Sequence, residues 1–95
     1  MQEISVIGTG YLGAVHATAL AWSGFQVVGI DSDAEKVSRL NAGQPPFHEP
    51  GFDRILGEAV TSGRLRFSTD YAAAQACDVH FLCVGTPQSA VGNAA

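Results

Sequence analysis

Three glycines, Gly8, Gly10 and Gly13, stand at the spacing GxGxxG inside "ISVIGTGYLGAVHATAL", directly after an apolar run. Residues of that type at that spacing suit the binding of a pyrophosphate. A turn without side chains lets the phosphates approach the backbone, and the start of a following helix offers N–H groups and the positive end of its dipole. In that role Gly8 makes the tight turn, Gly10 admits the phosphates and Gly13 lets the helix settle close on its strand. Glycine trios also arise by chance, so the spacing counts only with a strand before it, a helix after it and an acid further on.

Asp31 is that acid. It ends the apolar run "FQVVGI", at the separation of about twenty residues that places a carboxylate against the adenosine ribose of a dinucleotide. Its charge would accept hydrogen bonds from the ribose hydroxyls and repel a 2′-phosphate. Neither Ser32 nor Asp33 is an arginine that could receive one, so the pattern points to NAD rather than NADP. Asp31 can serve equally as the start of the next helix, and the two roles are compatible.

Other reactive types give weaker signals. Cys77 and Cys83 are too few for a disulfide framework, and Cys83 sits in an apolar run without a nearby His/Asp pattern, so it reads as a small hydrophobe. His16 and His80 lack partners at metal-ligand spacing. His48 and Glu49 could suggest acid–base chemistry, but Pro50 at a helix start and Phe52 on its apolar face read as a structural junction. Gly85-Thr86-Pro87 ends the last apolar run, and the Thr86 hydroxyl would reach a cofactor only if that run lies beside the first strand.

The elements that must position these residues follow from periodicity. Ile4 to Ile7 is a short β-branched strand, and from Tyr11 the spacing of Leu12, Val15, Ala19 and Leu20 is helical up to Gly24. Phe25 to Ile30 is a second strand. Ser32-Asp33-Ala34-Glu35 has the form of a capping box and opens a helix through Val37 and Leu40 to Asn41-Ala42-Gly43. Gln44 to Gly51, with three prolines, is an irregular connection. Phe52, Ile55, Leu56, Ala59 and Val60 mark one face of a helix stopped at Gly63. Leu65 to Ser68 is a strand, Thr69 or Asp70 caps an alanine-rich helix over 71–76, and the nearly unbroken apolar run Val79 to Val84 suggests an inner parallel strand. The expected fold is α/β, a Rossmann-like parallel sheet of order 3-2-1-4 with flanking helices, over residues 1–87. Residues 88–95 read as a tail or the beginning of a continuation.

Composition narrows the classes. The 95 residues are 46% hydrophobic, enough for one small domain, and carry five basic against nine acidic side chains for a net charge of −4. Its few cations are scattered, which argues against nucleic-acid and anionic-membrane binding. The N-terminus lacks a basic stretch and the first apolar run is only strand-length, so neither a signal peptide nor a membrane span is expected, and the chain reads as cytoplasmic.

With the glycine loop and Asp31, the segments "NAGQPPFHEPGF", "SGRLRFSTD" and "VHFLCVGTPQ" stand in order. From Ile4 to Gln88 the chain resembles the N-terminal domain of the UDP-glucose/GDP-mannose dehydrogenase family. The resemblance implies NAD as cofactor and oxidation of the primary alcohol of a nucleotide sugar, UDP-glucose to UDP-glucuronate, in two hydride transfers through an enzyme-held aldehyde or thiohemiacetal. It also implies that Gly8 to Gly13, with the backbone at Tyr11 and Leu12, hold the pyrophosphate, that Asp31 and Lys36 lie at the ribose, and that Thr86 contacts the cofactor. His80 departs from the aliphatic residue usual there, which suggests a more exposed strand face. The family's catalytic cysteine, its substrate-binding lysine and asparagine and its second nucleotide-binding domain are expected beyond residue 95. This chain would then carry no catalytic residue, and the complete enzyme would be a homo-oligomer. Two other readings share the glycine fingerprint: a hydroxyacid or 3-hydroxyacyl-CoA type of NAD dehydrogenase, and a non-catalytic dinucleotide-binding module.

Overall fold

The computed structural model describes residues 2–8, 10–45 and 49–83. The chain runs β1 (Glu3–Ile7), α1 (Tyr11–Trp22), β2 (Gln26–Ile30), α2 (Ala34–Asn41), α3 (Phe52–Thr61), β3 (Leu65–Ser68), a single 3-10 turn (Tyr71–Ala74) and β4 (Val79–Leu82). The four strands are parallel in the order β3-β2-β1-β4, the order expected from the sequence. Ile4 pairs with Val27 on one side and Val79 on the other, so the strand bearing the glycine turn lies inside the sheet.

That order decides what covers each face. Right-handed crossovers from β1 to β2 and from β2 to β3 step in one direction and place their helices on the same face, whereas the return from β3 to β4 crosses the other face. The first face accordingly holds the main core. Ile4, Val6, Val27, Leu65 and Phe67 from the strands pack with Ala14, Ala17 and Ala21 of α1, Leu40 of α2 and Leu56 of α3. Leu40 and Leu56 are fully enclosed, each contributing about 2 kcal/mol of burial. The alanine stripe of α1 explains how a helix can lie so near the strands. The second face is thinner: Val28, Ile30 and Ala74 form its buried center, with Ile7, Ala73 and Cys77 around them.

Two expectations need correction. The alanine-rich segment over 71–76 is a 3-10 turn of four residues and not an α-helix, because the crossing from β3 back to β4 is too short to pass the cost of helix nucleation. Its cap is Asp70, which accepts from the Ala72 N–H at 2.9 Å. The cap of α2 is Asp33 rather than Ser32: its Oδ1 accepts from the N–H groups of Glu35 and Lys36 at 3.0 and 3.1 Å. Among the described residues β4 pairs with β1, and Leu82 is 72% exposed. His80 is exposed, as its polar side chain suggested, and hydrogen-bonds through Nδ1 at 2.6 Å to Oγ of Ser5, its partner in register. That contact satisfies a serine with no exposed surface.

Asn41, the last residue of α2, reaches across to β3. Its Nδ2 donates to the Phe67 carbonyl and its Oδ1 accepts from the Phe67 N–H, both at 2.9 Å. Among the described residues, no helix is long and apolar enough to cross a membrane. Replacing Asn41 with alanine should cost about 1 kcal/mol, since water can only partly replace both bonds, and urea denaturation would measure it.

Candidate functional site

The glycine turn is fixed by two contacts. Gly8 has φ +94°, a conformation that favours glycine, and its N–H donates at 2.7 Å to the carbonyl of Ile30, the last residue of β2. Gly13, one turn into α1, is buried against the same residue. A Cβ at position 13 would overlap the Gly8 carbonyl oxygen and would also press on the Cys83 Cβ at 3.3 Å. Here the third glycine of the motif has the packing role expected of it.

Gly10 answers a different need. It is the N-cap of α1, with ordinary φ of −67°, and among the described residues a Cβ there would meet nothing within 4 Å, so the space that they leave in front of it is open. Among the described residues no side chain caps the helix, and its first turn contains no acid, so nothing on α1 competes for an anion at this end. Tyr11 and Leu12, the next two residues, are exposed beside it.

The acid expected at the end of β2 faces this turn from the neighbouring strand. The Asp31 N–H continues the ladder to Ser68 at 3.1 Å. Its Oδ1 accepts from the Asp33 N–H at 2.9 Å, and its Oδ2 accepts from Lys36 Nζ at 3.1 Å. The side chains of Asp31 and Lys36 are 12% and 27% exposed, so the ion pair is largely sheltered. Lys36 is therefore brought to Asp31 rather than left as a solvated cation on a helix face.

One contact has no forewarning in the sequence. The Tyr11 hydroxyl donates to Glu49 Oε1 at 3.1 Å, which links the glycine turn to the "EPGF" segment thirty-eight residues away. The hydrogen bond to Glu49 and its negative charge hold the Tyr11 phenol above its ordinary range. Glu49 also accepts from the Phe52 N–H through its carbonyl at 3.0 Å, which supports the reading of this segment as a junction into α3. Burial, reinforced by the charges of Glu3 and Asp78, pushes the Cys77 thiol up, the direction opposite to that of an activated nucleophile. Among the described residues, no group of His, Cys, Asp and Glu side chains could hold a metal ion. Thr86 and His48 lie outside the described residues.

Two substitutions separate packing from binding. Gly13→Ala should destabilise the fold by about 3 kcal/mol in urea denaturation, since backbone must move to admit the methyl group. Gly10→Ala should leave stability within about 1 kcal/mol yet weaken dinucleotide binding by about tenfold, because its methyl group enters the open space of the turn. In a separate titration, Glu49→Gln should let the Tyr11 phenol ionise at lower pH, read from tyrosinate absorbance.

Comparison with known proteins agrees with this geometry. The model of the UDP-glucose/GDP-mannose dehydrogenase family, NAD binding domain, matches residues 2–95. GDP-mannose 6-dehydrogenase of Pseudomonas putida is 43% identical over 93 residues, covering 97% of this chain and 21% of that protein. The structure of a UDP-glucose dehydrogenase from the archaeon Pyrobaculum islandicum superposes with TM-score 0.86 at 46% identity, over 92% of this chain and 20% of that one. GDP-mannose dehydrogenase from Pseudomonas aeruginosa gives TM-score 0.84 at 42% identity, over 88% of this chain and 20% of that one. The chain thus spans about a fifth of the length of these relatives. It belongs to the UDP-glucose/GDP-mannose dehydrogenase family and carries the NAD-binding domain of that family.

Proposed function

We propose that this chain holds NAD for the oxidation of the C6 primary alcohol of a UDP-sugar, UDP-glucose to UDP-glucuronate. The observation that carries the cofactor side of this reading is the sheltered Asp31 carboxylate at the end of β2, one residue past the Ile30 carbonyl that holds the glycine turn. Gly8 and Gly13 shape the turn, Gly10 leaves room for the pyrophosphate, and the backbone at Tyr11 and Leu12 offers it donors. Asp31, with Lys36 beside it, holds the ribose, and Thr86 makes a further contact. Bound NAD supplies a hydride acceptor. Every step assigned to this chain is one of binding and orientation: it fixes where the nicotinamide stands relative to the sugar, which is the larger part of what a cofactor domain contributes.

The overall reaction takes an alcohol to a carboxylate with two hydrides passed to two NAD, one water consumed and three protons released. Residues that grip the sugar and form the covalent adduct belong to segments outside this chain, consistent with its spanning about a fifth of its relatives. The complete enzyme would act as a cytoplasmic homo-oligomer. Likeness to the Pyrobaculum enzyme supports a UDP-sugar, and the Pseudomonas relatives favour a GDP-sugar as the second reading. The complete enzyme, given UDP-glucose or GDP-mannose with NAD, should release two NADH per UDP-glucose consumed. Turnover of GDP-mannose alone would replace the substrate, and one NADH per sugar would overturn oxidation to the carboxylate.

A further inference from the structure

The Asp31–Lys36 ion pair has a consequence for the choice between cofactors. An acid at the end of β2 is ordinarily credited with rejecting a 2′-phosphate by itself, through repulsion. Here a cation lies against that acid: Lys36 Nζ is 3.1 Å from its Oδ2, on a side chain only 27% exposed. Lys36 is also held from behind, because its backbone N–H donates to the Asp33 cap at 3.1 Å. The ammonium thus has a fixed base and, among the described residues, Asp31 as its ionic partner.

We propose that Asp31 selects NAD in two ways at once, by repelling a 2′-phosphate and by occupying Lys36, the cation that would otherwise receive one. Lys36 is then a latent phosphate ligand whose charge is cancelled by its neighbour. An ammonium has three donors and no geometric preference, which suits a phosphate monoester carrying between one and two negative charges. The same cancellation softens the repulsion in the native chain: without Lys36, the Asp31 charge would act on a 2′-phosphate unopposed. The proposal rests on the reading of Asp31 as the ribose ligand.

The test is binding of NADH and NADPH to the intact chain, followed by nicotinamide fluorescence, for Asp31→Asn, Lys36→Gln, Lys36→Arg and their combinations. Asparagine suits the position because its Oδ1 can still accept from the Asp33 N–H. Asp31→Asn should weaken NADH by about tenfold and tighten NADPH by about tenfold, the difference between a charged and a neutral partner. Adding Lys36→Gln should abolish the NADPH gain, whereas adding Lys36→Arg should keep it. Lys36→Gln alone should weaken NADPH below its native affinity. Asp31→Ser, whose hydroxyl can also support the turn, should reproduce the Asp31→Asn pattern, which removes dependence on one variant's folding. An NADPH affinity that does not rise in either Asp31 variant, or a rise that survives Lys36→Gln, overturns the proposal while leaving Asp31 as the ribose ligand. NADH binding that is indifferent to Asp31→Asn overturns that underlying reading instead.

Discussion

The carbonyl oxygen of Gly8 lies where a side chain at position 13 would begin, and the architecture around it depends on that vacancy. It sets how closely α1 can approach the end of β1, and hence where the helix axis points. With the approach fixed, the stripe Ala14, Ala17 and Ala21 meets the sheet without a gap, and the first turn of the helix is delivered to the C-terminal margin of the strands. The Gly8 N–H bond to Ile30 then ties that turn to β2, one residue before Asp31. A single short contact between backbone and backbone thereby positions both halves of the nucleotide cradle.

Charge is arranged around the cradle with similar economy. The chain is acidic overall, yet the first turn of α1 has no acid. Asp33 spends its carboxylate on the start of α2, and Asp31 is matched by Lys36. The end of α1 is left as a positive pole in a negative molecule, a local field that the net charge does not reveal.

What could be read from the sequence was what chain neighbours determine. The glycine spacing, the acid after the second strand and the helical stripe from Phe52 to Val60 are all local patterns, and the structure reproduces them. The strand order followed from the alternation of strands and helices that opens on the glycine fingerprint, the pattern of a doubly wound sheet. What escaped notice depends on distant partners. Tyr11 and Glu49 meet across thirty-eight residues of sequence, and nothing in either neighbourhood announces it. The same holds for Asn41 and Phe67, twenty-six residues apart. Ser32 and Asp33 are both good capping residues, and only the backbone path set by Asp31's hold on the Asp33 N–H decides between them.

The amide of Asn41 gives the sheet a direction of growth. Phe67 turns its N–H and carbonyl away from β2, to the outer margin of β3, and both are already spent on one side chain. An incoming strand would have to evict that amide before it could bond at Phe67, which raises the cost of augmentation and of edge-to-edge association at β3. Among the described residues, no such side chain holds the free edge of β4. Expansion is thereby steered to the side of β1 on which the chain crosses from one sheet face to the other, beside the strand that carries the glycine turn.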